Sequence, residues 1–337
     1  VKLIKEADHV VIMGHRMSDL DAIGSAEGVL RICKICDVPA VIAVRRDATL
    51  AGSLINALIA AGQEDDFIDP KGALPIISQR TLCIVVDTYQ LGLVESREIL
   101  EKCGKVAVID HHRKGVGFIE KADLVCHEPY ASSASELVTE FLQYVGDRDD
   151  KPNRIEAEGL LSGIMLDTRD FTLHTGVRTF EAAAALRRYG AETEHVRQLF
   201  DVSMVEYTTK ATLVSEAQMY RGCAITVSGE VAPEARVAIA QAANDLLTIQ
   251  NVEASFVAVQ VGGGVNISAR SLGAVNVQVI MESLGGGGHQ TMAAAQLKHI
   301  TPEAVRSRIQ TAIDQYREAQ KKSGLESESE QKKKDKQ

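Results

Sequence analysis

Acidic and imidazole side chains recur in this sequence where apolar runs stop. His9 to Met13 runs into a loop with His15, Asp19 and Asp21. Thr81 to Val86 ends at Asp87, and Lys105 to Ile109 ends at Asp110-His111-His112-Arg113. A helical pattern from Asn153 to Leu166 delivers Asp167. Asp and His are the side chains that hold hard and borderline divalent cations. A lone Asp after a strand is ordinarily a cap or turn residue. Several such strands in parallel bring their ends to one edge, where ligands of open α/β sheets collect.

His15, Asp19, Asp21, Asp87, His111 and Asp167 together offer four carboxylates and two imidazoles. One divalent cation would be over-neutralised by that set, whereas two would balance it. A two-metal site needs a shared ligand, and Asp87, standing alone at its strand end, is the expected bridge. Mixed imidazole and carboxylate ligation suits Mn²⁺ better than Mg²⁺ or structural zinc. Asp110 is expected to orient His111. His112 is the candidate for contacting a scissile phosphate or assisting a leaving group, and Arg113 is a second candidate substrate contact.

The elements that must position these residues alternate between strand and helix. Strands over His9–Met13, Val38–Val44, Thr81–Val86 and Lys105–Ile109 are separated by helices over 22–36, 50–61 and 95–103. That alternation predicts an α/β fold with a doubly wound, mostly parallel sheet. Helices follow over 132–145, from 153, over 177–189 and over 192–216. Strands at 224–227, 254–261 and 266–269, a helix over 235–249, another over 276–284 and a last one from Thr301 predict a smaller α/β domain. Gly262–Gly264 reads as a tight turn. The expected organisation is a catalytic domain over 1–190, a helical connector over 191–216, a substrate domain over 217–320 and a disordered tail over 321–337.

The chain has 337 residues and a net charge of −9, with no Trp and 4% aromatic residues. That balance excludes a long nucleic-acid track, whose affinity rests on neutralised phosphates and stacking platforms. No apolar run reaches the length of a membrane span, and no secretory leader is visible. A chain beginning at Val1 is expected to be a piece of a longer protein. The six scattered cysteines suit a reducing compartment, and Cys33 and Cys36 read as packed thiols.

The motifs H-x-x-x-D-x-D-A, V-V-D-T, I-D-H-H-R and M-L-D-T, in that order, resemble the DHH phosphoesterase superfamily. Residues 267–271 and 285–289 resemble its DHH-associated domain. The segments 129–133, 178–183 and 275–282 resemble the membrane-anchored cyclic di-AMP phosphodiesterases of that superfamily. The resemblance implies hydrolysis of cyclic di-AMP to linear pApA by water activated between two Mn²⁺ ions, with Mg²⁺ or Co²⁺ as substitutes. It also implies one ion at His15, Asp19 and Asp87, and another at Asp21, Asp87, His111 and Asp167. Arg270 and the run Gly286, Gly287, Gly288, His289 are expected to bind the nucleotide in a cleft between domains, since glycines admit a ligand close to the backbone.

The implied partner is a small nucleotide, with a homodimer as the candidate assembly. The fragment is expected to be soluble on the cytoplasmic side, without membrane contact of its own, with anchoring helices upstream. Two alternatives are a nanoRNase/pAp phosphatase acting on short oligonucleotides and a non-catalytic nucleotide sensor. The sensor would show degraded metal motifs, and all six candidate ligands are present. Ser18, Tyr89-Gln90-Leu91 and His174 depart from the family pattern.

Overall fold

The structure, a computed structural model, describes residues 1–337 except 113–116, 148–149, 202–203, 232–235, 262, 299 and 335–337, with only the backbone described at 236–237 and 321–334. It divides into two compact units, Val1–Asp201 and Val202–Gln337.

The first unit carries strands β1 (His9–Met13), β2 (Ala40–Ala43), β3 (Phe67–Ile68), β4 (Thr81–Val86), β5 (Lys105–Asp110) and β6 (Leu124–His127). Its helices are α1 (Lys2–Lys5), α2 (Leu20–Ile35), α3 (Gly52–Ala60), α4 (Pro70–Ala73), α5 (Arg97–Lys102), α6 (Ala134–Gln143), α7 (Arg154–Thr168), α8 (Val177–Arg188) and α9 (Thr193–Gln198). The strands form one sheet in the order β3-β2-β1-β4-β5-β6, and every pairing is parallel. A parallel sheet covered on both faces needs strands apolar on both sides. Accordingly Val10, Ile12, Ile84 and Ile109 enter one core, whereas Val11, Met13, Val85 and Val108 enter another. The chain leaves β1 toward β2 and β3, then returns to add β4, β5 and β6 on the opposite side. The strand order reverses between β1 and β4, and in such sheets ligands collect at the carboxyl ends of the strands at that point.

Helices α2 and α7 pack closely under this edge. A Cβ at Gly24 would lie 2.3 Å from the Gly159 carbonyl, so the backbones touch where neither residue has a side chain. Asn153 starts α7 with a reciprocal capping box to Glu156. Glu156 is also forked by Arg31, whose Nε lies 2.7 Å from Oε2. Gln63 Nε2 donates to both Glu156 and Glu27, at 3.0 Å each. Burial, and then the Glu156 charge, push the Glu27 carboxyl up to about 8.

The second unit holds α10 (Met204–Ser215), β7 (Gln218–Tyr220), β8 (Cys223–Glu230), α11 (Arg236–Leu246), β9 (Ala254–Val261), β10 (Gly264–Ser271), α12 (Val277–Ser283), β11 (Gly287–Gly288), β12 (Met292–Lys298) and α13 (Pro302–Lys334). Its sheet runs β11-β12-β10-β9-β8-β7, parallel between β8 and β9 and antiparallel elsewhere. Phe256 and Ala258 face a core with α12 and α13, whereas Val257 and Val259 face one with α10 and α11.

Two organisational expectations differ from the structure. The 191–216 connector splits between the units, because Val196 of α9 is buried in the first core and Leu213 of α10 in the second unit's core. The segment read as a structureless tail continues α13 to Lys334. Its Lys, Glu and Gln residues are good helix formers, and no proline interrupts them. Gly262 of the expected turn lies outside the described residues, while Gly263 takes the left-handed φ of +81° that such a turn requires.

Candidate metal centre

Each candidate ligand sits where an element begins or ends. Asp19 is the N-cap of α2, and its Oδ1 accepts from the Asp21 and Ala22 amides at 3.0 and 3.1 Å. Ser18, at the departure from the family pattern, donates to the His15 carbonyl at 2.6 Å and closes the same loop. The loop is held from the side as well, since Glu95 N donates to Gly14 O and Arg16 N to Leu93 O. Asp21 is fully buried, and Asp167 lies in the last turn of α7. Asp87 follows β4 with a left-handed φ of +57°. That is an uncommon backbone for a residue with a Cβ, and it interrupts the alternation that would aim the carboxylate straight on from Val85.

The six side chains converge around Asp87. His15 Nε2 lies 3.4 Å from Asp87 Oδ2 and 3.8 Å from Asp19 Oδ1. His111 Nε2 lies 3.3 Å from Asp87 Oδ1, 3.0 Å from Asp167 Oδ2 and 3.8 Å from Asp21 Oδ2. Two ligand-capable groups result, His15/Asp19/Asp87 and Asp21/Asp87/His111/Asp167, in each of which one donor atom per residue lies within 4.8 Å of the others. Asp87 belongs to both. A third grouping adds His112 to Asp87 and His111.

The electrostatics of this cluster are set by burial and by the closeness of its charges. Asp87 Oδ1 and His111 Nε2 are buried without a hydrogen-bond partner, and so is Asp110 Oδ2. Leaving such groups unpaired costs free energy that a ligand can offset. Burial pushes Asp21 well above the usual carboxylate range, reinforced by the Asp87 and Asp167 charges. Burial likewise raises Asp167, to about 6. Burial also opposes ionisation of Asp87, yet contact with the His111 and His15 rings holds it well below the ordinary value. Burial would lower both histidines, but Asp19 and Asp87 push His15 up to about 10, and Asp167 and Asp87 push His111 up to about 12. Imidazoles and carboxylates thus favour one another's charged forms, and the donor set fits divalent cations, which would supply positive charge at the same place.

Beside this cluster, His112 is more exposed than His111, and its Nδ1 lies 2.9 Å from Asp110 Oδ1. The expected pairing of Asp110 with His111 is therefore corrected. β5 ends at Asp110, and residues two apart along an extended chain share a face, which puts His112 beside Asp110. His127, which sequence reasoning missed, donates from Nε2 to the His112 carbonyl at 2.5 Å. Tyr89, another departure from the family pattern, packs edge-on to the His127 ring at 5.7 Å. Only the position of His127, at the end of the sixth parallel strand, signalled it. Arg113 lies outside the described residues.

The remaining predicted site residues belong to the second unit. Gly285 and Gly286 close α12 through bonds from their amides to Glu282 and Met281, a Schellman motif. Gly287 and Gly288 pair with Ala294 and Ala293. A Cβ at Gly286 would meet the Ala294 carbonyl at 2.2 Å, and one at Gly288 would meet Ala293 Cα at 2.5 Å, whereas Gly287 faces open space. His289 is exposed in the following turn, where its amide donates to Met292 O at 2.6 Å. Arg270, opposite Met292 on β10, donates to Ser268 Oγ and Ala269 O.

Residues 9–164 match the model of the DHH family N-terminal domain, and residues 231–320 match the DHHA1 domain. The chain belongs to the DHH family. This DHH chain is 46% identical to the cyclic-di-AMP phosphodiesterase GdpP of Geobacillus thermodenitrificans over 325 residues, covering 95% of this chain and 49% of that protein. It is 41% identical to the cyclic-di-AMP phosphodiesterase PdeA of Listeria monocytogenes over 320 residues, covering 94% and 49% respectively. The chain thus spans about half the length of these curated relatives. An exopolyphosphatase-related protein from Bacteroides fragilis shares the fold with a TM-score of 0.79 at 21% identity, covering 95% of this chain and 96% of that one. Among the described residues, no helix is long and apolar enough to cross a membrane.

Proposed function

We propose that this chain is a Mn²⁺-dependent phosphodiesterase that hydrolyses cyclic di-AMP to linear pApA. The observation that carries the reading is the pair of donor groups sharing Asp87, in which Asp87 Oδ1 and His111 Nε2 are buried without a hydrogen-bond partner. The substrate follows from the likeness to cyclic-di-AMP phosphodiesterases over 94–95% of the chain. His15, Asp19 and Asp87 would hold one ion, and Asp21, Asp87, His111 and Asp167 the other. Such ions, when bound, supply an activated water and neutralise charge on the phosphate.

The chain's own groups supply the rest. Asp110 holds His112 Nδ1, which leaves Nε2 as the atom to meet the scissile phosphate or pass a proton to the departing ribose oxygen. The reading assigns Arg270, Gly287 and His289 to nucleotide binding. It extends to a homodimer, and to a catalytic piece on the cytoplasmic side of a longer, membrane-anchored protein.

Turnover of cyclic di-AMP, pApA, pAp and pyrophosphate, each with Mn²⁺ and with Mg²⁺, tests this. Cyclic di-AMP with Mn²⁺ should be the preferred combination, with pApA as product. Faster turnover of pAp or pyrophosphate than of the cyclic dinucleotide would defeat the substrate assignment.

A further inference from the structure

We infer that the first turn of α6 and the glycine at 163 are a positioning device for Asp21, setting the geometry of one of the two ion sites. The inference rests on the two-ion reading above. The two carboxylates of the Asp19-x-Asp21 pair are held in different ways. Asp19 caps its own helix through Oδ1 alone. Asp21 instead receives the start of another helix: the Ala134 amide donates to its Oδ2 at 2.7 Å and the Ser135 amide to its Oδ1 at 2.8 Å. Both oxygens are thus anchored by backbone donors 113 and 114 residues away. The amides of a helix's first turn have no partner within the helix, so an anion placed there satisfies them and is itself fixed.

Helix α7 completes the clamp. A Cβ on Gly163 would lie 2.3 Å from Ser135 Oγ, 2.6 Å from Asp21 Oδ1 and 2.8 Å from Asp21 Cα. The Ser135 hydroxyl could rotate away, but the Asp21 backbone could not. Gly163 therefore lets α7 close directly on Asp21 and on Ser135, whose amide holds it. One turn later α7 delivers Asp167, whose Oδ2 lies 3.0 Å from the same His111 nitrogen that Asp21 Oδ2 faces at 3.8 Å. His111 Nε2, buried at this convergence and facing Asp21, Asp87 and Asp167, shows where the carboxylates are aimed. Partners that orient a ligating carboxylate typically change metal affinity or activity 10–100-fold when lost.

Ala134→Pro removes one amide at the first helical position, where proline is tolerated. The preceding Ser133 is already extended, as a residue before proline must be (φ −162°, ψ 163°). Gly163→Ala presses directly on Asp21. Gly28→Ala is the packing control, because its Cβ would strike Val138 and Leu160 side chains instead, at 2.6 and 2.9 Å. Mn²⁺ binding by equilibrium dialysis and metal-free thermal unfolding are measured for each.

Ala134→Pro and Gly163→Ala should weaken one of two Mn²⁺ ions by about 10–100-fold, with turnover restored by excess Mn²⁺. Gly28→Ala should lower the unfolding temperature and leave both affinities in place. Wild-type Mn²⁺ affinity in Ala134→Pro would overturn the inference, and so would an equal loss in Gly28→Ala. A wild-type chain that binds fewer than two ions would instead break the underlying reading.

Discussion

The carboxyl edge of the first sheet and the glycine hairpin of the second unit both drew attention as sequence, and they treat their polar groups in opposite ways. At the sheet edge, Asp87 Oδ1 and His111 Nε2 are buried with no hydrogen-bond partner, and the carboxylates press on one another's ionisation. In the hairpin, the backbone itself consumes the motif. Gly285 and Gly286 end α12, and Gly286 and Gly288 let β11 lie against β12. Unspent polar capacity therefore marks the first region as a binding centre. In the second, only Gly287 and His289 are left over for a ligand. A glycine run is thus weak evidence for a site until its conformational uses are subtracted, whereas clustered buried carboxylates are strong evidence.

The contrast can be broken most forcefully at its centre. Asp87→Ala should reduce cyclic di-AMP hydrolysis by well over ~100-fold, beyond the effect of losing an orienting partner, because both donor groups lose a member. Retained turnover in a Mn²⁺ assay would remove the shared-ligand account. His112→Ala should lower kcat by about 10²-fold, within the range of lost proton-transfer assistance, while Mn²⁺ content stays at the wild-type level. Loss of bound Mn²⁺ in that variant would move His112 into the ligand set.

The hairpin offers a finer comparison. Gly286→Ala should destabilise the second unit by about 1–3 kcal/mol through overpacking, whereas Gly287→Ala should leave its unfolding midpoint unchanged. Equal melting curves for the two variants would contradict the division of roles.

A further effect, on pH dependence, lies away from both regions. Glu27 has a folded value near 8 against an ordinary 4.5, so the folded state holds a proton that the unfolded chain releases. Stability should fall as pH rises between those values, by up to about 1.4 kcal/mol per unit, and level off above 8. Glu27→Gln should flatten that slope in chemical denaturation at pH 6 and pH 8.5, and an unchanged slope would assign the pH dependence elsewhere.

How much of this was legible in the sequence depends on distance along the chain. Apolar runs stopping at Asp or His located β1, β4 and β5 and their ends, because a doubly covered parallel strand is apolar on both faces. β12 escaped, since Met292–Lys298 alternates buried and exposed residues correctly but with alanines, which carry no strand preference. β6 escaped because Leu124 and Val125 are exposed on a short edge strand. The serines at 132, 133 and 135 announced a helix start, yet nothing local could reveal that its amides cap Asp21 more than a hundred residues earlier. Asp110 was recognised as an orienting group and assigned to the wrong neighbour, although residues two apart along an extended chain share a face.

The most direct test is anomalous scattering at the manganese edge from crystals of the wild-type chain grown with Mn²⁺. Two peaks should appear roughly 3.5–4 Å apart, one beside His15, Asp19 and Asp87 and the other beside Asp21, Asp87, His111 and Asp167. A single peak, or two that do not both touch Asp87, would contradict the account.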